Sequence, residues 1–224
     1  MLDVRVKLDR LERYALDYES GEIKTGKILL YGDSAFTRWQ EKWGNIPVES
    51  LLLDQNGQQA VVNHGIGGGT MEELLYYYPR LVLPWKPKAL VIEAFCNDRD
   101  ANYSPSEIIY LMARLLEYAR RQLPGTRFYL CDARPLSAYV GELVWMVLKN
   151  HLTEFNELLG IYCAQHPDCT LIRHGDCPAL FEEGFAGDYD HPRKDLFIED
   201  KVHYNPEGYA IYTEFFRQKL ADEL

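Results

Sequence analysis

Short apolar runs alternate along this chain with longer stretches whose apolar residues recur at three- and four-residue intervals. The runs cover 27–31, 60–63, 89–95, 127–132 and 170–173, and their composition suits strands. Two of them, Ile28-Leu-Leu-Tyr31 and Ala89-Leu-Val-Ile92, are continuously apolar, as strands covered on both faces should be, which makes them the expected central pair of a sheet. The helical stretches have legible starts. One at 71–78 follows Thr70, an N-cap able to accept from the first turn. Another at 105–122 follows Ser104, carries Pro105 in its first turn and stops at Pro124-Gly125. A third, 141–165, places Leu143, Val147, Leu148, Leu152, Phe155, Leu158 and Leu159 at helical spacing, and a last helix opens after Asn205 with Pro206 in its first turn. Strand alternating with helix predicts an α/β fold with a parallel sheet covered on both faces. Residues 1–26 form an N-terminal extension, partly helical over 4–18, whose packing the pattern leaves open. Residues 184–199 form a polar and aromatic loop, in a position where loops shape binding sites.

Composition narrows the function. With 224 residues, 47% of them hydrophobic, the chain can bury one substantial core, so a single domain spanning 1–224 is expected. A formal charge of −10 and the lack of any Lys/Arg cluster argue against nucleic acid and anionic membrane partners; Arg120-Arg121 reads as an ordinary helix end. No apolar run reaches the length of a membrane span or a signal peptide, so a cytoplasmic protein without membrane insertion is expected, and nothing fixes an oligomeric state. Five unevenly spaced cysteines fit reduced thiols. Cys163, His166, Cys169, His174 and Cys177 are near one another in sequence, but their spacing follows no zinc pattern, so a zinc site is not expected there.

Four polar segments sit at strand ends, where ligands collect in open parallel sheets. Ser34, in Gly32-Asp33-Ser34, follows the first strand and can be a helix N-cap or, given a base, a nucleophile. Gly67-Gly68-Gly69 offers tight turns and exposed N–H groups suited to phosphate or a developing oxyanion; it lacks the dinucleotide-binding order of glycines. Asn97, in Asn97-Asp98, ends the third strand and can donate to a negative oxygen or to its own turn. His203 follows Asp200 by three residues, an offset that lets a carboxylate reach Nδ1 while Nε2 faces a hydroxyl; as a local cap the histidine would need no such partner. All four on one side of one sheet supply a nucleophile, a base, an orienting carboxylate and oxyanion donors. Such a base is expected to ionise near the ordinary histidine value of about 6.5.

At these residues the sequence resembles the SGNH hydrolases, the GDSL esterase/lipase family. Gly-Asp-Ser34 is similar to that family's first block, Asn63-His-Gly-Ile-Gly-Gly68-Gly-Thr to its second, Cys-Asn97-Asp98 to its third and Asp200-Lys-Val-His203-Tyr-Asn-Pro-Glu-Gly to its last, so the resemblance runs from Lys27 to about Phe216. It implies a three-layer α/β/α sandwich with a five-stranded parallel sheet in flavodoxin-like order. It also implies catalytic roles for Ser34, Asp200 and His203 and an oxyanion hole formed by Ser34, Gly68 and Asn97. Cys96 departs from the family's small glycine-like residue before the asparagine and reads as a small packing residue.

The function implied is hydrolysis of a carboxylic ester through an acyl-serine intermediate, the substrate being a short acyl ester, an acetylated carbohydrate or a lysophospholipid. That reaction requires no metal and no organic cofactor. O-acyl transfer with the same residues, a non-catalytic binding protein on the same fold, and a phospho-acceptor or magnesium-dependent domain using Asp33, Asp98 and Asp132 are the alternatives. The segment from Tyr76 to Pro87 reads mainly as helix-to-strand packing rather than an aromatic ligand platform, and of Trp39 and Trp43, four apart after Ser34, at least one should be core.

Overall fold

The computed structural model describes Lys7 and residues 9–224. Helix α1 (Glu12–Glu19) precedes strand β1 (Ile28–Gly32), followed by the short helices α2 (Ser34–Thr37) and α3 (Val48–Leu51). Strand β2 (Val61–Gly65), helix α4 (Met71–Leu81), strand β3 (Ala89–Glu93) and helices α5 (Cys96–Asp100) and α6 (Pro105–Gln122) come next. Strand β4 (Arg127–Cys131), helix α7 (Trp145–Gln165), strand β5 (Cys169–Ile172) and helix α8 (Pro206–Lys219) complete the order. The five strands are all parallel and lie in the order β2-β1-β3-β4-β5, so the expected central pair, β1 and β3, is internal.

Alternation along the strands divides the core into two. Leu29, Tyr31, Leu90, Ile92, Phe128 and Leu130 meet α1, α4, α6 and α7 on one face. Ile28, Leu30, Val61, Ala89, Val91 and Tyr129 meet α2, α3 and α8 on the other. The result is the three-layer α/β/α sandwich expected. Its helix starts are built as their sequences imply: Thr70 with Glu73 and Ser104 with Glu107 form reciprocal capping boxes, and the Asn205 side chain accepts from the Gly208 N–H.

The departures have local causes. Helix α4 runs through Pro79 to Leu81, because the lost donor is offset by burial of Tyr77, Tyr78 and Leu81 and by the bond from the Val82 N–H to the Tyr78 carbonyl. Helix α7 opens at Trp145 and not at 141: Tyr139 and Gly141 take left-handed conformations and hold the chain in turns, leaving Leu143 and Val147 exposed while Leu152, Phe155 and Leu159 supply the core contacts. Helix α2 ends at Thr37, so Trp39 is fully buried and Trp43, on a separate turn, is exposed. Of the helix expected over 4–18, the structure shows a turn at 9–11 leading into α1; residues 1–6 and 8 lie outside the described residues. Leu11 and Ala15 join the core, and α1 is clamped to α4 by Arg80, which pairs with Glu12 and Glu19. Tyr77, Tyr78 and Trp85 are buried, so the stretch after Tyr76 is packing.

One close approach fixes where the Ser34 segment sits. A Cβ on Gly65 would fall within 2.6 Å of the Phe36 carbonyl carbon and nearer still to the Thr37 nitrogen, so α2 can rest on the end of β2 only because residue 65 has no side chain. Gly65→Ala should therefore displace α2 and lower stability by about 1–3 kcal/mol, the usual cost of overpacking. Urea unfolding measures this; a variant as stable as the parent would show that α2 does not need this contact.

Candidate active site

The carboxyl ends of the strands bring the four sequence segments together. Ser34 is the first residue of α2, directly after β1 and the N-cap Asp33, whose Oδ1 accepts from the Ala35 N–H at 2.9 Å. His203 lies on the loop between β5 and α8. Its Nε2 is 2.8 Å from Ser34 Oγ, and its Nδ1 is 2.7 Å from Asp200 Oδ2. The turn that makes this possible is tight: Lys201 is left-handed at φ 57°, and Asp200 Oδ1 accepts from the N–H groups of Val202 and His203, both at 2.9 Å. One carboxylate thus shapes the turn with one oxygen and meets the imidazole with the other. The turn is held from outside by the Lys201 carbonyl, which accepts from the Ser137 and Ala138 N–H groups at 3.1 and 2.9 Å.

The electrostatics separate the two partners. Burial acts to raise Asp200, but the N–H groups of His203 and Val202 outweigh it and hold the carboxyl below its ordinary range. His203 is pushed down to about 4, first by burial, then by the positive charge of Arg134, with Arg38 adding and Asp200 opposing. The ring is therefore neutral at a lower pH than the ordinary histidine value expected from sequence.

Sequence reasoning missed the group that imposes this charge. Arg134, two residues beyond Asp132 at the end of β4, is only 3% exposed. Its Nε lies 3.1 Å from Glu93 Oε1, its Nη1 donates to the Val202 carbonyl at 2.6 Å, and its Cζ stands 5.6 Å from the centre of the Tyr204 ring. Both chain neighbours of His203 are thereby pinned by one guanidinium. Glu93 in turn accepts from Tyr212 at 2.7 Å; His174 Nε2 lies 2.9 Å from that hydroxyl, and its Nδ1 lies 2.7 Å from Asp132. A glutamate ending a strand that is otherwise Ala-Leu-Val-Ile was the available signal, since a buried carboxylate requires a partner. Arg38, whose Nη2 is 3.7 Å from Asp200 Oδ2, was also missed.

The remaining segments close the site. Asn97 Nδ2 donates to the Gly69 carbonyl at 3.0 Å and reaches Asp33 Oδ2 at 3.3 Å; the longer contact is the one an incoming anion would compete for. The Gly69 N–H is taken by the Ile66 carbonyl at 2.8 Å, which leaves Gly67 and Gly68 as donors, and Gly68 is left-handed at φ 79°. Burial and repulsion by Glu93 raise Asp33 to about 6 against the pull of Arg134. Asp98 is buried and accepts from the Met71 N–H at 2.7 Å, and Asp132 holds His174. The three aspartates are thus used separately, and among the described residues no group of three His, Cys, Asp or Glu side chains is placed to hold a metal ion. Cys96 opens α5 against the core, its thiol raised to about 12 by burial, and so packs as a neutral side chain. All five cysteines are unpaired thiols. The 184–199 loop ties to α7 through Asp190, which accepts from Trp145 Nε1 and pairs with Lys149. No helix among the described residues is long and apolar enough to cross a membrane.

Comparison with known proteins bears on the fold and the family. No curated protein sequence matches the chain. Among solved structures, a GDSL-like lipase from Bacteroides thetaiotaomicron is 16% identical with a TM-score of 0.74, covering 97% of this chain and 100% of that one. A protein assigned as an acylhydrolase from Bacteroides fragilis is 19% identical with a TM-score of 0.73, covering 99% of each chain. An acetyl xylan esterase is 16% identical with a TM-score of 0.69, covering 87% of this chain and 99% of that one. At these identities the likeness is one of fold. Residues 30–211 match the GDSL-like Lipase/Acylhydrolase family, so the chain belongs to that family and is a hydrolase of the GDSL/SGNH type.

Proposed function

We propose that this protein hydrolyses carboxylic esters through an acyl-serine intermediate. The observation that carries the reading is the continuous chain from Ser34 Oγ through both nitrogens of His203 to Asp200, at 2.8 and 2.7 Å. A serine hydroxyl is a weak nucleophile until a neutral base takes its proton, and the depressed His203 keeps that base neutral across the physiological range. In acylation, Ser34 Oγ attacks the ester carbonyl carbon while Nε2 accepts its proton; collapse of the tetrahedral intermediate expels the alcohol, which takes that proton. Water then attacks the acyl-serine with the same base, releasing the acid and restoring Ser34. Asp200 holds the ring with Nε2 free to accept and stabilises the imidazolium that forms transiently. The N–H groups of Ser34 and Gly68 and the Asn97 amide receive the oxyanion, the amide being already fixed by the Gly69 carbonyl. The substrates proposed are a short acyl ester, an acetylated carbohydrate or a lysophospholipid. The likeness to an acetyl xylan esterase supports testing acetylated sugars beside a chain-length series of p-nitrophenyl esters.

Ser34→Ala should abolish ester turnover and labelling by a fluorophosphonate probe while the protein stays folded. Retention of more than about a hundredth of parental turnover would place the nucleophile elsewhere, because removal of a reacting group costs several orders of magnitude. Asn97→Ala should lower kcat about a hundredfold to a thousandfold with little change in KM; an effect confined to KM would sink the oxyanion role.

The acidic limb of kcat/KM reports the base in the free enzyme. With His203 held to about 4, kcat/KM should remain level on acidification through the ordinary histidine value and decline only as the pH nears that figure. Arg134→Met removes a positive charge that disfavours the imidazolium, so it should raise the ring's pKa and shift the limb to higher pH. A parental limb centred near 6.5, unmoved by the substitution, would remove both the depressed base and the influence of Arg134.

A further inference from the structure

The matched family segment begins at residue 30, yet the helix before it reaches the glycine loop of the proposed oxyanion hole. Three side chains spaced four residues apart, Arg10, Tyr14 and Tyr18, lie along one side of the turn at 9–11 and α1, as four-residue spacing on a helical path requires. Each meets a different glycine. Arg10 Nη2 donates to the Gly68 carbonyl at 2.5 Å and also to Glu73 Oε2 at 2.8 Å. The Tyr14 hydroxyl stands where a Cβ on Gly67 would be, 2.5 Å from that position. Tyr18 donates to the Gly65 carbonyl at 2.6 Å and stacks on His64 with ring centres 4.4 Å apart.

The anchor is firm on both sides. Leu11 and Ala15 are buried against α4 and the sheet, and Arg80 pairs with Glu12 and Glu19, so the three side chains project from a fixed support. Glu73, which shares Arg10 with Gly68, is itself fully buried and closes the capping box with Thr70. The loop's far side is held by Asn97 through the Gly69 carbonyl at 3.0 Å. A glycine-rich loop has more backbone freedom to lose than any other segment, and here Ile66, buried in the core, is the one side chain with which residues 65–69 fix themselves. Ile66 anchors the middle of the loop, and bonds to the Gly65 and Gly68 carbonyls from outside fix the glycines on either side of it.

We infer that α1 and the turn before it serve as a positioning clasp for the oxyanion hole, with Arg10, Tyr14 and Tyr18 holding the 65–68 loop so that the Gly68 N–H faces the developing negative charge. None of the three touches the reacting atoms. The inference rests on the proposed acyl-serine reaction and on Gly68 as a donor in it. A clasp of this kind acts on the transition state, where a displacement of about 1 Å can cost a hundredfold, and leaves ground-state binding nearly unchanged.

The test uses the full chain with Tyr18→Phe, Arg10→Met and the two combined. Tyr18→Phe keeps the stack on His64 and removes only the hydroxyl, and Arg10→Lys serves as the conservative variant. Rates are expressed per serine titrated with a fluorophosphonate, so that loss of folded protein lowers the titre and not the rate. The combined variant should show kcat reduced between about tenfold and a hundredfold with KM within about twofold, and a boronate transition-state analogue should lose affinity by the same factor as kcat. Arg10→Lys should recover part of the loss seen with Arg10→Met. A combined variant with kcat within about twofold of the parent, or one that changes KM alone, overturns the clasp. Failure of the parent itself to be labelled at Ser34 would instead overturn the acyl-serine reading on which the clasp stands.

Discussion

A carboxylate and a guanidinium buried at the end of the central strands constrain the site more than any other contact. Glu93 closes β3, the most enclosed strand of the sheet, and Arg134 follows β4 beside it, the two meeting at 3.1 Å. Neither could be there alone: breaking a buried pair by removing one partner typically costs about 3–5 kcal/mol because the other charge is left uncompensated. The pair acquires a function from its remaining bonds. Arg134 fixes the Val202 carbonyl and lies against Tyr204, while Glu93 takes the Tyr212 hydroxyl from α8. His174 and Asp132 extend the chain to the ends of β5 and β4. Strand ends, α8 and the loop carrying His203 are thus registered to one another by a single polar path.

The same charge explains how the site separates its acid and base groups. Asp200 and His203 face each other at 2.7 Å, and mutual attraction would by itself favour the charged form of both. Burial of the ring and the nearby Arg134 and Arg38 charges oppose this for His203, whereas the two N–H groups donated by the turn favour the carboxylate. The pair therefore rests as carboxylate and neutral imidazole, the state from which a hydroxyl proton can be taken. A positive charge that disfavours the imidazolium is congenial to an oxyanion, so Arg134 would bias two parts of the proposed reaction in useful directions.

Much of this was legible in the chain, and the reasons differ by residue. Runs such as Ile28-Leu-Leu-Tyr31 declare buried strands because burial on both faces tolerates no polar position, and Ser104-Pro105 declares a helix start because the chemistry of capping is local. Ser34 could be named because it directly follows a strand, where parallel sheets collect function, and Asp200 with His203 because they form a turn readable from four residues; Asn97, expected to end the third strand, stands on α5 instead. The start of α7 was not legible: Leu143 and Val147 fit the helical period, but Tyr139 and Gly141 adopt left-handed turns that no periodicity reports. Arg134 was missed because its meaning lies in Glu93, 41 positions earlier, and in Val202, 68 later; only the tertiary fold brings these three together. The ionisation of His203 was misjudged for the same reason, being set by burial and by charges distant in sequence.

The glycine loop presents the opposite problem from the His203 loop. His203 is flanked by residues with carbonyl and ring to be held, and its turn is shaped from within by Asp200. Residues 65–69 have only the buried Ile66 side chain and the turn from the Gly69 N–H to the Ile66 carbonyl with which to shape themselves. Gly65 must lack a side chain to let α2 pass, Gly67 must lack one beside Tyr14, and Gly68 must take a left-handed conformation. Every constraint that makes glycine necessary there also removes a means of ordering the loop, so beyond Ile66 its order comes from neighbours on both sides. Asn97 supplies it from α5, and Arg10 with Tyr18 supplies it from α1 and the turn before it. A segment that adds no strand to the sheet and no reacting group to the site is in this way bound to the backbone donors by the physics of glycine.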